Sequence, residues 1–149
     1  MNVTGTIDSV LNHKGTNLWS VAPDTTVFES IKLMSHKNVG ALLVMKEGKL
    51  EGMFSERDYT RKVILKGKSS KTTAVQEIIS APVISVTPQH TIEECMRLMT
   101  ENRVRHLPVL EGDKVVGIVS IGDLVNWIIS AQHVALKQME AYISGQYPG

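Results

Sequence analysis

The chain has 149 residues, 42% of them hydrophobic and 21% charged, and its 16 basic and 15 acidic side chains leave a formal net charge of +1. That balance excludes broad electrostatic binding to nucleic acid or to an acidic membrane surface, and no apolar run reaches the ~18 residues that a membrane span needs. One cysteine, Cys95, excludes an internal disulfide and fits a reducing compartment; with no basic and apolar leader at the N-terminus, a cytoplasmic location is expected.

In chain order, Ile7–Leu11 is predicted to form a short helix that stops before Lys14-Gly15. Trp19–Val21 is the first strand and Pro23-Asp24-Thr25 a turn. Thr26-x-x-Glu29 has the form of a capping box, and Val27, Ile31 and Met34 put apolar side chains on one face of the helix that follows, through Lys37. Ala41–Met45 is a continuous apolar strand, expected to be buried on both faces, and Glu47-Gly48 turns it back into Leu50–Phe54. A helix is predicted from Glu56 to about Lys66, and the polar, basic stretch Gly67–Thr73 is expected to be a linker.

Beyond the linker, Val75–Ile79 reads as a second short helix, Val83–Val86 as a strand and Pro88-Gln89-His90 as its turn. Thr91-x-x-Glu94 is another capping box, opening a helix with Ile92, Cys95, Met96 and Met99 facing inward. Leu107–Leu110 and Val115–Ser120 are strands joined by Glu111-Gly112-Asp113. The last helix begins near Ile121 and is expected to run, with a possible break, to Ser144, before Gly145 and Pro148.

This order is a repeat. At a shift of 65 residues, Ser20–Asp58 aligns with Ser85–Asp123 without a gap, with 14 identical pairs in 39 positions, among them Pro23/Pro88, Thr26/Thr91, Leu42/Leu107, Gly52/Gly117, Ser55/Ser120 and Asp58/Asp123. Chance does not produce that density. Each copy is strand–helix–strand–strand–helix, so the fold class is mixed α/β (α+β), built from two like subdomains related by a pseudo-twofold. The divisions expected are 1–66 with the N-terminal helix, a linker over 67–74, 75–130, and a C-terminal helix and tail over 131–149.

No catalytic set is written here. The five histidines, His13, His36, His90, His106 and His133, show no metal-ligand spacing, and there is no C-x-x-C or H-E-x-x-H. Lys66-Gly67-Lys68-Ser69 resembles the end of a phosphate loop, but the leading glycine is replaced by Lys62. What stands out is Gly-x-x-Ser-x-x-Asp, present as Gly52/Ser55/Asp58 and as Gly117/Ser120/Asp123. One reading is a helix cap, the serine accepting from a backbone N–H and the acid accepting back. The other is a ligand site, in which the helix N-terminus suits a phosphate and the aspartate suits the vicinal hydroxyls of a ribose. The two readings are compatible. Arg57, Arg61, Lys62, Lys66, Lys68 and Lys71 form a basic run whose plain reading is a solvated helix face and linker, with Arg57 and Arg61 the residues placed to reach a phosphate. His106 suits a core or rim position as well as a phosphate contact. Met34, Met96, Met99 and Cys95 read as core.

The two copies resemble cystathionine β-synthase (CBS) domains, paired as in a Bateman module. The resemblance rests on Val-Ala-Pro-Asp-Thr-Thr and Val-Thr-Pro-Gln-His-Thr, on Asn38-Val39-Gly40-Ala41-Leu42 and Val104-Arg105-His106-Leu107-Pro108-Val109, and on both Gly-x-x-Ser-x-x-Asp ends, over about residues 7–130. It is strongest to small bacterial proteins made of one such module. The resemblance implies a non-catalytic regulatory module that senses energy or redox state by binding an adenine nucleotide (AMP, ADP, ATP, NAD) or S-adenosylmethionine in clefts between the two domains. It implies one site made by Ile118, Ser120 and Asp123 with Gly15, Thr16, Asn17, Val39, Gly40 and Ala41. The other is made by Ser55, Arg57, Asp58 and Arg61 with Ser80, Ala81, Pro82, Val104, Arg105 and His106. The aspartates would hold ribose, the serines would lie beside ribose and phosphate, and backbone would hold adenine. The Asp123 cleft is expected to lack a side-chain cation, so ATP or NAD is expected to favour the Asp58 cleft.

A homodimer is expected, both from the family's four-domain disc and from Leu124, Val125, Trp127, Ile128 and Ile129, which surround much of one helix, followed by Leu136, Met139 and Ile143. An effector protein would receive the signal. The rivals are a dimerisation module with vestigial clefts, which ligands would not stabilise, and an enzyme acting on a nucleotide, which product analysis after incubation with ATP and NAD would expose.

Overall fold

In the computed structural model, which describes residues 5–79 and 83–143, the secondary structure begins with α1 (Ile7–Lys14), β1 (Ser20–Val21), α2 (Val27–Lys37), β2 (Ala41–Lys46) and β3 (Lys49–Ser55). A single turn α3 (Glu56–Asp58) runs directly into a π-helical stretch, Tyr59–Ile64, and a 3-10 turn covers Val75–Glu77. Then come α4 (Ile92–Asn102), β4 (His106–Glu111), β5 (Lys114–Ser120) and the 23-residue α5 (Ile121–Ile143). The mixed α/β class stands as expected, and the helix–strand–strand–helix part of the repeat recurs in both copies.

The chain divides into two compact units: one of residues 1–15, 88–107 and 119–149, the other of 16–87 and 108–118. In the second unit β1 pairs in parallel with β2, and β2 pairs antiparallel with β3. The turn between β2 and β3 places both Glu47 and Gly48 at positive φ, 51° and 78°, which gives a hairpin the twist its strands require. Ala41, Leu42, Leu43 and Val44 are all buried, so β2 is covered on both faces. Val27 and Met34 of α2 pack with Leu42, Val44, Phe54, Val63, Val75 and Ile78 in one core. At the buried Gly52 an added Cβ would lie 2.8 Å from Cδ1 and 3.3 Å from Cβ of Ile79. Here glycine serves close approach rather than a turn.

The first unit packs three helices with the start of β4 and the end of β5, whose Leu107 and Val119 are fully buried. Ile7, Val10 and Leu11 of α1, Ile92, Cys95 and Met99 of α4, and Leu124 of α5 are buried, while Met96 is only half-buried. Burial pushes the Cys95 thiol up to about 12, so it behaves as an inert apolar group. The same position in the first copy is the buried Ser30, whose hydroxyl donates to the Thr26 carbonyl at 3.0 Å.

The leading amides of α2 and α4 are satisfied from distant chain. Val27 N–H donates to Thr73 O at 2.8 Å and Phe28 N–H to Ser70 O at 2.9 Å, while Ile92 N–H donates to Gly5 O at 3.3 Å. Return bonds run from Val75 N–H to Thr25 O and Gln76 N–H to Pro23 O, and in the same pattern from Ile7 N–H to His90 O and Asp8 N–H to Pro88 O. The segment 73–76 therefore closes on the start of α2 as the segment 5–8 closes on the start of α4.

Several local expectations are corrected. The stretch 67–73, mostly exposed, is also tied to α2: Thr73 is buried and Ser70 and Thr73 accept from its leading amides. The helix expected over 56–66 is one α-turn followed by π-helix, with Leu65 N–H bonded to Thr60 O. The 75–79 helix is a 3-10 turn of three residues, whereas α1 runs on to Lys14 and is stopped by Gly15 at φ 95°. Val83–Val86 forms no strand among its described residues; Val86 alone makes a parallel bridge to Val109. At Thr91 the capping box is complete, with Glu94 N–H to Thr91 Oγ1 at 3.0 Å and Thr91 N–H to Glu94 Oε1 at 3.0 Å. At Thr26 only the first half forms, from Glu29 N–H at 3.2 Å, and the Glu29 carboxylate lies 4.0 Å from Lys32 Nζ instead. Helix α5 has no break through Ile143, and the expected end at Ser144 and beyond lies outside the described residues.

Gly52→Ala is expected to cost about 1–3 kcal/mol in urea unfolding. Ile79→Ala in the same chain should recover part of that, so that the double variant is more stable than the sum of the singles implies.

Candidate functional site

Both serine–aspartate pairs stand where a strand becomes a helix. Ser55 closes β3 and Ser120 closes β5, each in extended conformation or at a strand end, while Asp58 and Asp123 lie three residues on, in the first helical turn. In the first copy Asp58 N–H donates to Ser55 Oγ at 3.2 Å, and Ser55 N–H returns to Asp58 Oδ2 at 3.0 Å. The Ser55 hydroxyl also donates to Oδ2 at 3.1 Å. In the second copy Asp123 N–H donates to Ser120 Oγ at 3.1 Å and Ser120 N–H to Asp123 Oδ2 at 2.8 Å. The capping reading is therefore realised at both sites. It fixes the rotamer of each carboxylate and leaves it half-buried at a helix N-terminus, where the aligned N–H groups favour an anion.

The backbone before each second strand joins these junctions in equivalent ways. Glu56 N–H donates to Gly40 O at 3.1 Å, and Ile121 N–H donates to Arg105 O at 2.9 Å. The structure thus brings Gly40 to the Ser55–Asp58 junction and Arg105 to the Ser120–Asp123 junction. Val39 and Gly40 are half-buried and Ala41 buried; Val104, His106 and Ile118 are half-buried and Arg105 exposed. Gly15, Thr16 and Asn17 are exposed. Ser80, Ala81 and Pro82 lie outside the described residues.

The two carboxylates acquire cations from different places. Lys62 Nζ lies 3.5 Å from Asp58 Oδ1 and donates to Ile78 O at 3.0 Å. Lys14, the last residue of α1, places Nζ 2.6 Å from Asp123 Oδ2. This corrects the expectation that the Asp123 side has no side-chain cation, and with it the reason for assigning ATP or NAD to Asp58. Burial by itself would raise the Asp123 carboxyl, but the hydrogen bond from Lys14, the Ser120 N–H and the lysine's charge hold it below the ordinary carboxylate range. Arg57 is half-buried and Arg61 exposed. The helix expected from the sequence ends at Leu11, short of Lys14. Three further residues of helix carry Lys14 to Asp123, and no local signal connects positions 109 residues apart. Among the described residues no cluster of side chains suits a metal ion, and no helix is long and apolar enough to cross a membrane.

The family model for the CBS domain matches residues 13–64 and 75–130. The CBS domain-containing protein CBSX3, mitochondrial, of Arabidopsis thaliana is 41% identical over 152 residues, covering 95% of this chain and 73% of that protein. A solved structure of a protein with CBS domains from Burkholderia ambifaria is 46% identical with a TM-score of 0.83, covering 86% of this chain and 96% of its own. The CBS domain pair of protein MJ0100, solved in complex with 5′-methylthioadenosine and S-adenosyl-L-methionine, has the same fold at 21% identity, with a TM-score of 0.73 over 84% of this chain and 95% of its own.

The Asp123 carboxyl is held down in the folded chain, so it binds its proton at lower pH than the ~3.9 of an unfolded aspartate. Its contribution is fully present above that value and is lost as pH falls through the folded value. Lys14→Met is expected to cost about 0.5–1 kcal/mol at pH 7, and the difference from wild type should vanish in acid unfolding curves taken progressively below pH 4.

Proposed function

The chain belongs to the CBS-domain family, and on that premise we propose that it is a non-catalytic regulatory module that binds an adenine nucleotide, AMP, ATP or NAD, through Asp58 and Asp123. The observation that carries this reading is the twice-built junction in which a serine fixes an aspartate at a helix N-terminus. Such a carboxylate accepts two hydrogen bonds from neighbouring hydroxyls, as a ribose presents them, and the helix amides beside it suit a phosphate. Both compounds held by the MJ0100 pair carry an adenosine ribose, which supports the adenosyl class. Ser55 and Ser120 would line the ribose, Arg57 would approach phosphate, and Val39–Ala41 and Val104–His106 would contribute backbone to adenine.

Titration of wild type, Asp58→Ala and Asp123→Ala with AMP, ATP, NAD and S-adenosylmethionine tests the reading. Each aspartate lost should cost about 1.5–3 kcal/mol at its own site. Saturating ligand at 100 times its dissociation constant should stabilise the wild type by about 2.7 kcal/mol. A chain with no thermal response to any of the four would be a structural module instead.

A second copy of the chain is the proposed partner. Helix α5 leaves Val125, Ile129, Leu136 and Met139 exposed, the last three at 58%, 58% and 61%, and these apolar side chains recur along one long helix. Light scattering at micromolar concentration should give twice the chain mass, and Ile129→Lys/Leu136→Lys should give a monomer that still unfolds cooperatively. A monomeric wild type refutes the partner.

A further inference from the structure

Helix α5 carries two apolar stripes. Leu124 is buried and Trp127 and Ile128 are half-buried, so one stripe packs within its own unit. The other is Val125, Ile129, Leu136, Met139 and Ile143, exposed at 40%, 58%, 58%, 61% and 79%. With Gln132, also exposed, these residues follow one another at steps of 4, 3, 4, 3 and 4. That is the spacing of the a and d positions of a heptad, with Ile129, Leu136 and Ile143 at a and Val125, Gln132 and Met139 at d.

All residues from 131 to 140 are exposed. A helical stretch of about that length is marginal in water by itself and is ordinarily held by packing of its apolar face. A seam of period 3.5 fits another helix of the same period, and a second copy of α5 supplies one. The polar residue sets the direction. In a parallel pair a faces a and d faces d, so Gln132 meets its equal in the second copy, and amides both donate to and accept from one another. In an antiparallel pair d faces a, so Gln132 would be pressed against Ile129, Leu136 or Ile143 of the second copy, which offer no hydrogen bond. Along the flanks, Ile128, His133, Ala135, Glu140 and Tyr142 hold one carboxylate, so ion pairs at the rim do not outweigh that layer.

We propose that α5 pairs with α5 of a second copy as a parallel, in-register, two-stranded coiled coil whose seam runs from Val125 to Ile143. The inference rests on the homodimer reading and gives that dimer its contact surface and its direction. The seam is about 27 Å long, Ile129 and Ile143 supply the β-branched a positions that favour two parallel strands, and Gln132 fixes the register.

The test is disulfide trapping in the full chain. Cys95 is buried, so a cysteine added on α5 is the thiol that reacts. Ile129→Cys and Met139→Cys are each oxidised at micromolar concentration and read on a non-reducing gel beside Val134→Cys, an f position that points away from the seam. The two seam positions are about 15 Å apart along the helix, and a disulfide needs Cα atoms within about 7 Å of each other. Both link only if the helices run parallel and in register, because an antiparallel pair that links one holds the other about 30 Å from its mate. Most of the chain should become a linked dimer in both seam variants, and Val134→Cys should link several-fold less. Should either seam variant fail to fold, Leu136→Cys takes its place. A dimeric mass by light scattering with one seam variant or neither linked, or with Val134→Cys linked as fast, overturns the parallel coiled coil and leaves the homodimer standing. A monomeric mass overturns both.

Discussion

The leading amides of α2 and α4 are the constraint on which the rest depends. A helix begins with N–H groups that have no partner within it, and Val27 and Ile92, the first residues of these helices, are completely buried. Water cannot serve them there. The carbonyls of Ser70, Thr73 and Gly5 do, and each comes from a segment far from the helix it completes. Buried polar groups left unpaired cost about 1–3 kcal/mol each, so the segments 5–8 and 70–76 are held in place by a penalty as well as by contacts. Their apolar residues follow: Ile7 and Val75, in equivalent positions, are both fully buried.

The same closure explains why two nearly identical motifs have different electrostatics. The segment ahead of the second copy makes only a 3-10 turn at Val75–Glu77, whereas the segment ahead of the first makes α1, long enough to bring Lys14 to Asp123. Where the first copy has Lys62 one turn beyond its aspartate, the second has Trp127, whose ring meets His13 edge-on at a centroid distance of 6.0 Å. Thus one carboxylate draws its cation from its own helix and the other from α1. Serine, aspartate and strand geometry are common to both copies, and the charge that surrounds them is not.

Much of this was legible in the chain. The ungapped repeat, the apolar run at Ala41, the Glu47-Gly48 turn and the Thr91 box all encode local structure through period, turn chemistry or capping, and those signals act within a few residues. What was not legible acts over distance. The docking of Thr73 onto α2 converts an apparently solvated linker into an acceptor strip. The π-helical path after Asp58 has no glycine or proline to announce it, and Thr60 and Leu65 close its widened turn through backbone alone. At Val83–Val86 the residues are β-formers, but only Val86 finds bridging partners, its N–H donating to Pro108 O and its carbonyl accepting from Leu110. The repeat marks both aspartates, whereas nothing in the octapeptide of α1 refers Lys14 to residue 123.

The way the segments 5–8 and 70–76 close on their helices also bears on whether either copy could be moved alone. A single copy cut out at the boundaries of the repeat would lose the carbonyls that finish its own first long helix and would carry instead a leader suited to the other. Neither copy is therefore a freely transferable part. Moving, fusing or removing one copy alone would strand the first helix of the other, which is completed by the segment ahead of its neighbour.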